Sequence, residues 1–446
     1  MKDIAQLARD LADGRTTSEA LVKQALVRIE EHRAAGGVAY ISVDAQGALL
    51  AARASDLARA SGYVPSPLAG LPVSIKDLFD VAGQVTASGS SLLADAPQAS
   101  DDAVVVQRLR AAGAILLGRT NMSEFAFSGL GLNPHYGTPL TPCATQRIAG
   151  GSSSGAAVSV ALDMAVAGLG TDTGGSIRIP AAFCNLTGFK PSASRVPQTG
   201  TFPLAPSLDS IGALTRSVAD SILLDRVLSG EQLDTRTPPL AGLRLAVTRD
   251  FVLDQLDACV AGAFERSLGL LAAAGASIRW FDFPELYELP RINAAGGLTA
   301  AEAWQGHRHW LEGDDAHKYD ARVAQRIRRG AAIGAADYLD TQAERQRLIS
   351  VARERLGDAD AWLMPSVAVV PPTLADLADD ESFFATNGLV LRNTSVINFL
   401  DGCALSLPCQ LAEELPVGLS IAGLHGQDAR VLQVSRAVEA LLRGNA

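Results

Sequence analysis

The chain has 446 residues, 48% hydrophobic and 19% charged, which places it among globular proteins and outside the disordered class. Its formal net charge is −10, and an acidic surface repels phosphate backbones, so nucleic acid is not expected as a direct partner. No run of eighteen uncharged apolar residues occurs, so no membrane span or membrane partner is expected.

The start reads as helices. Thr16 with Glu19 three residues on forms a capping-box pattern, ahead of Leu21, Val22, Ala25, Leu26 and Ile29 at helical spacing. A second helical run covers 46–59. Pro65, Pro67 and Gly70 then break the pattern, and LPVSIKD (71–77) reads as a strand entering a site. Residues 102–113 read as helix, and AILLG (114–118) as a buried parallel strand. From 128 to 155 Gly, Pro, Thr and Ser dominate, as in a long loop region, and the apolar stretch 156–170 reads as a helix followed by a strand.

LRLAV (243–247), a helical stretch to 274 and ASIRWFDF (276–283) form a β-α-β unit. Residues 298–357 are mostly helical, AWLMPSVAVV (361–370) returns to strand, and 430–442 is an amphipathic helix. This alternation predicts an α/β fold: one unit around a large mixed, mostly parallel central sheet covered by helices on both faces. The five cysteines, Cys143, Cys184, Cys259, Cys403 and Cys409, show no paired spacing. They read as reduced thiols in a cytoplasmic protein, and the N-terminus lacks a signal-peptide core. Cys143 and Cys184 read as small buried hydrophobes. Arg322, Arg326, Arg328 and Arg329 read as a solvated face. His307 and His309 have no zinc-binding spacing, so no metal is expected.

The chemistry concentrates between 150 and 180, GGSSSGAAVSVALDMAVAGLGTDTGGSIRIP, where two Gly/Ser-rich turns flank a buried helix–strand pair. Glycine lets backbone N–H groups approach a ligand closely, and consecutive N–H groups can cradle an oxyanion. A serine at each turn supplies two hydroxyls that could meet in space. A hydroxyl needs a base to attack, and no histidine has a recognisable catalytic setting. Lys76 in the apolar-flanked VSIKD is the better candidate, because a desolvated lysine loses its charge more easily and a neutral amine accepts a proton.

That 31-residue stretch resembles, nearly position for position, the signature of the amidase signature family of amide hydrolases. LAGLPVSIKDLFDVAG (68–83), LLGRTNMSEFAFSG (116–129), SLDSIGALTRSVAD (207–220) and LPVGLSIAGLHGQD (415–428) are similar to further blocks of that family, so the likeness runs along the whole chain. It implies one domain over 1–446, with a variable helical, substrate-shaping region at about 298–357. It also implies Ser176 as nucleophile, Ser152 as a bridging serine held through a cis peptide bond, and Lys76 as base. The N–H groups of Thr173, Gly174, Gly175 and Ser176 resemble the family's oxyanion hole. Asp172 and Arg178 are implied to pair and fix the turn, Ser153 to support the serines, and Met122, Ser123 and Phe125 to line the acyl pocket. Ser154 departs from the glycine of many members.

The expected activity is hydrolysis of a carboxamide C–N bond in a small soluble linear amide through an acyl-enzyme, with no cofactor. A second reading is the A-type subunit of a tRNA-dependent amidotransferase, releasing ammonia from glutamine; the run Ser154 to Val158 departs from the usual pattern of that protein. A catalytically dead binding protein is disfavoured because all three catalytic residue types are present. Arg392 and Asn393 are candidates for gripping a carboxylate or urea-like group, with a structural role the stronger reading. A homo-oligomer is left open.

Overall fold

The computed structural model describes residues 2–444. Eleven strands make one sheet: β1 (Tyr40–Val43), β2 (Pro72–Lys76), β3 (Ile115–Thr120), β4 (Ala167–Thr171), β5 (Thr187–Lys190), β6 (Ile211–Thr215), β7 (Arg244–Val247), β8 (Ser277–Trp280), β9 (Ala361–Pro365), β10 (Cys403–Pro408) and β11 (Gly418–Gly423). Their order across the sheet is β1-β3-β2-β4-β6-β5-β10-β11-β9-β7-β8.

The α/β class and the large mixed sheet match expectation, but parallel pairing does not dominate. Among the described residues four pairings are parallel (β2–β3, β2–β4, β7–β8 and β7–β9) and six are antiparallel. The cause lies in the connections. The chain passes from β10 to β11 through residues 409–417, and from β5 to β6 through 191–210, with no helix in either link. Adjacent strands joined without a crossover helix run antiparallel.

Side chains alternate between the two sheet faces. In the later half of the sheet, Leu363, Leu405, Leu407, Leu419 and Ile421 pack with the helices Ala258–Ala273 and Asp428–Arg443. Their strand neighbours Trp362, Met364, Ala404 and Ala422 pack with the helices Ala335–Leu356 and Asp380–Phe399. In the earlier half Val73, Ile75, Leu169 and Ala213 enter one core, while Ile115, Leu117 and Leu214 pack with the helix Ser154–Ala161 in another. Each fully buried Leu or Ile contributes about 1.5–3 kcal/mol, so this two-sided burial holds the sheet centre rigid.

The first long helix, Ser18–Ala34, is capped one residue later than the sequence pattern predicts. Thr17 has the extended backbone and its hydroxyl accepts from Ala20 N–H at 3.1 Å, so Glu19 falls inside the first turn. The region 298–357 is helical as expected, in Gly297–Leu311, Ala321–Arg328 and Ala335–Leu356. Among the described residues no helix is long and apolar enough to cross a membrane.

Candidate active site

β2 and β4 are parallel neighbours with Ile75 opposite Leu169, so both strands end at the same edge of the sheet. Lys76 closes β2 and Thr171 closes β4. Open α/β sheets collect ligands beyond such carboxyl ends. Lys76 is fully buried, and its Nζ lies 2.8 Å from Ser152 Oγ and 2.8 Å from Thr171 Oγ1. Ser152 arrives from the Gly/Ser turn that leads into the helix Ser154–Ala161, and the Gly151–Ser152 peptide is cis. Neighbouring loops hold this turn from behind: Ser123 N–H donates to the Ser152 carbonyl at 3.2 Å, and Gly151 N–H to the Gly129 carbonyl at 2.8 Å.

Ser176 sits in the turn between β4 and the short helix Arg178–Phe183. The two Gly/Ser turns are joined directly, because Ser153 N–H donates to the Ser176 carbonyl at 3.2 Å; Ser153 Oγ reaches the Thr171 carbonyl at 3.4 Å. Asp172 and Arg178 close the second turn with a bidentate pair, Nε to Oδ2 at 3.0 Å and Nη2 to Oδ1 at 2.9 Å. Oδ2 also accepts the N–H of Ile177 at 3.2 Å. Asn398 supports both partners: its Oδ1 accepts from Arg178 Nη2 at 2.6 Å and its Nδ2 donates to Asp172 Oδ1 at 3.0 Å.

The helix Asp380–Phe399 sets the backbone direction between these anchors. The hydroxyls of Thr394 and Ser395 donate to the Gly174 carbonyl at 2.6 and 3.1 Å. Gly175 has φ +135°, and a Cβ there would lie 2.2 Å from Thr394 Oγ1, so neither the backbone nor the space admits a side chain. Among the described residues the N–H groups of Thr173, Gly174, Gly175 and Ser176 donate to no protein acceptor. Four unengaged donors in one turn form a ready cradle for negative charge.

Burial brings the Lys76 ammonium down to about 7, against the opposing pull of Asp209 and Asp172. Near neutral pH Lys76 can therefore present a lone pair to a hydroxyl. Burial alone would raise the Asp172 carboxyl, but the charge and hydrogen bonds of Arg178 bring it to about 2. Asp209 is raised by burial; it accepts from the Thr173 hydroxyl and from Leu204 N–H at 3.0 Å, which ties the turn to the loop before β6. Removing Arg178 would leave Asp172 charged, buried and unpaired. Arg178→Ala is expected to lower stability by about 3–5 kcal/mol, read as a fall in the urea midpoint at neutral pH. A fall below about 1 kcal/mol would show that the pair does not hold the turn.

A cavity of about 680 Å³ opens beside this turn, with Thr173 and Gly174 in its wall. Met122, Ser123 and Phe125 are not among its lining residues; Phe127 is. The backbone turns at Phe125 and Ala126, where φ is positive. The Phe125 ring points inward, with centroid distances of 4.5 Å to His307 and 5.4 Å to Phe202. The basic segment is not simply a solvated face either: Arg326 is half-buried and lines the cavity. Arg392 also reaches the cavity, but its Nη1 and Nη2 donate to the carbonyls of Asp254 at 2.5 Å and Val252 at 3.2 Å. Asn393 is fully buried and donates to the carbonyls of Val252 and Pro365, both at 2.9 Å, which fixes its structural role.

Cys184 is buried and its thiol is pushed up by that burial, whereas Cys143 is exposed, contrary to expectation, because the loop after Thr141 runs over the surface. Among the described residues no cluster of three His, Cys, Asp or Glu side chains is placed to hold a metal. On the helix Asp380–Phe399 sequence reasoning singled out Arg392 and Asn393 but missed three other residues. Asn387, Leu391 and Ser395 from that helix line the cavity, and the only signal was a polar stripe in an otherwise apolar run.

The Amidase family model matches residues 20–432. The chain is 37% identical to a 2-amino-5-chloromuconic acid deaminase of Comamonas testosteroni, over 91% of this chain and 88% of that protein. It is 33% identical to the A-type subunit of a glutamyl-tRNA(Gln) amidotransferase from Acidobacterium capsulatum, over 97% and 98% respectively. A solved amidase crystal structure superposes with a TM-score of 0.89 at 35% identity, covering 99% of this chain and 100% of that one. The chain therefore belongs to the amidase family and is an amide-hydrolysing enzyme.

Proposed function

We propose that the enzyme cleaves the C–N bond of a small soluble carboxamide through an acyl-enzyme on Ser176, with Ser152 and Lys76 relaying the proton. One observation carries this reading. Lys76 is wholly buried, its Nζ has two hydroxyls and no carboxylate as partners among the described residues, and one of those hydroxyls is Ser152 at 2.8 Å. A lone buried ammonium is costly, and a neutral amine beside a serine is a base.

Neutral Lys76 accepts the proton of Ser152 while donating to Thr171 Oγ1. Ser152 takes the proton of Ser176, whose oxygen forms a bond to the amide carbon. The carbonyl π electrons move to oxygen, and the oxyanion is held by the N–H groups of residues 173–176. On collapse the C–N bond breaks, the relay returns its proton to the nitrogen, and the amine leaves. Water then hydrolyses the ester by the same route in reverse roles. No cofactor enters these steps. The five unpaired cysteines fit a reducing, cytoplasmic setting.

A fluorophosphonate probe tests the nucleophile. Peptide mapping of the labelled native enzyme is expected to find the adduct on Ser176. An adduct on Cys184, or none at all, would remove Ser176 from the role. The amidotransferase reading rests on the relatives of that kind that match almost the whole chain. Co-purification with partner proteins and glutamine-dependent ammonia release would favour it over a free-standing amidase.

A further inference from the structure

β4 and β6 run antiparallel, with Thr171 opposite Ile211. The pairing continues one step past the strand ends, where Asp172 and Ser210 exchange both backbone hydrogen bonds, at 2.8 and 3.2 Å. The next facing pair in this register is Thr173 and Asp209, and the Thr173 hydroxyl donates to Asp209 Oδ1. The Asp209 carboxylate thus lies two steps along the ladder from Thr171, whose hydroxyl accepts from Lys76 Nζ at 2.8 Å.

Asp209 is buried, and two further donors converge on its Oδ2: Leu204 N–H at 3.0 Å and Ala205 N–H at 3.1 Å. A backbone N–H can only donate, so this set suits a carboxylate. Yet among the described residues Asp209 makes no ion pair. The neighbouring acids are otherwise held. Asp172 is paired with Arg178 at 2.9 Å, with the Lys190 charge behind it, and Asp77, the residue after Lys76, is paired with Arg119 at 2.6 Å. Glu302 faces Asp209 from the helix Gly297–Leu311 and accepts from Ser207 N–H and from the Tyr338 hydroxyl, both at 2.9 Å. Of the two carboxylates whose charge acts on Lys76, Asp209 and Asp172, only Asp209 has no cation of its own.

When Ser152 gives up its proton, Lys76 becomes a buried ammonium whose only direct contacts are two hydroxyls. A cation formed in a dry site is stabilised most by an anion already fixed in place. Resting on the Lys76–Ser152–Ser176 reading, we propose that Asp209 is a positioning residue whose carboxylate stabilises the cation formed on Lys76 and, through Thr173, holds one end of the oxyanion cradle. No proton passes to Asp209. The proton taken from Ser152 stays on Lys76 Nζ until the relay returns it to the leaving nitrogen.

The rate at which a fluorophosphonate labels Ser176 reads the base without requiring the substrate. A negative neighbour favours the ammonium, so removing it moves the alkaline limb to lower pH. With Lys76 at about 7, labelling of the native enzyme is expected to be about tenfold faster at about pH 8 than at about pH 6. Asp209→Asn can keep all three contacts: its Oδ1 accepts the two N–H groups and its Nδ2 donates to the Thr173 hydroxyl. Only the charge is lost. In that variant the ratio is expected to shrink to about twofold, with the plateau rate about three- to tenfold lower. Thr173→Val keeps the charge and removes the contact, so it should lower the plateau and leave the ratio near the native value. An unmoved ratio in Asp209→Asn, or an equal shift in Thr173→Val, overturns the proposal.

Should Asp209→Asn fail to fold, Asp209→Ser removes the charge while leaving room for water to meet the N–H groups, and the same shrunken ratio is expected. Failure of both to fold would assign Asp209 to the fold alone and overturn the proposal. A limb that persists in Lys76→Ala would instead sink the Lys76 reading, whereas a native limb that Asp209→Asn does not move leaves that reading intact.

Discussion

Ser176→Ala is expected to lower amide turnover by roughly 10⁵- to 10⁶-fold, the scale seen when a hydrolase loses its nucleophile. No nearby group can substitute. Cys184 is buried with its thiol pushed up, and Cys143 is on the surface. The four N–H donors and the cavity remain in the variant, so some catalysis above the water reaction should persist. Stability should hardly change, because Ser176 is tied to its surroundings by its carbonyl bond from Ser153. Steady-state assays with active-site titration check this. Native-like turnover by a folded variant would show that the acyl group is carried elsewhere.

Lys76→Ala should separate amides from esters. If Lys76 only oriented the serines, both substrate types would slow by similar factors. As a shuttle it does two jobs, removing a proton for attack and returning it to the leaving group. An alkoxide can depart without full protonation, whereas an amide anion is far too basic to leave unaided. Amide hydrolysis is expected to fall by roughly 10³- to 10⁴-fold and a matched ester by roughly 10- to 10²-fold. Raising pH should restore part of the ester reaction, since hydroxide replaces the base but not the acid. In the native enzyme Lys76 is an ammonium below about pH 7 and an amine above it, so kcat/KM should climb as pH rises through that value. This limb should vanish in the variant. Equal losses on both substrates would argue that Lys76 is not the shuttle.

The proposed bond-breaking part of the site can be read from the sequence because its residues are dense and local. Ser152, Ser153, Asp172, Ser176 and Arg178 fall within one short stretch whose glycines can be read for backbone freedom, and Lys76 stands at the end of a conspicuous apolar strand. The cavity wall was legible only as a stretch of chain: 298–357, which carries Arg326, was expected to shape the pocket, but the side chains that face it were not. Phe127, Arg326 and Leu391 meet only through tertiary packing, and nothing local distinguished Phe127 from Phe125. What separates them is a backbone turn with positive φ at Phe125 and Ala126, where neither residue type signals it. Sheet direction failed for a related reason. β5 (TGFK), β6 (IGALT) and β11 (GLSIAG) are short, glycine-bearing and buried on both faces, so they lack the period-two pattern that marks an antiparallel strand.

Lys76, Ser152 and Ser176 all come from the first half of the chain, on and after β2 and β4. Arg326, Arg329, Phe384 and Leu391 come from its last third. Thr394, Ser395 and Asn398 are the points at which the later segment grips the turn that carries Ser176. This gives the gene a natural line of variation. Substitutions along one edge of the helix Asp380–Phe399, or in the helices facing it across the cavity, can redraw which acids and amines are accepted without moving the reacting atoms. Thr394, Ser395 and Asn398 must stay. An exchange of residues 289–399 between two such enzymes should carry substrate preference with it, provided those three contacts are kept.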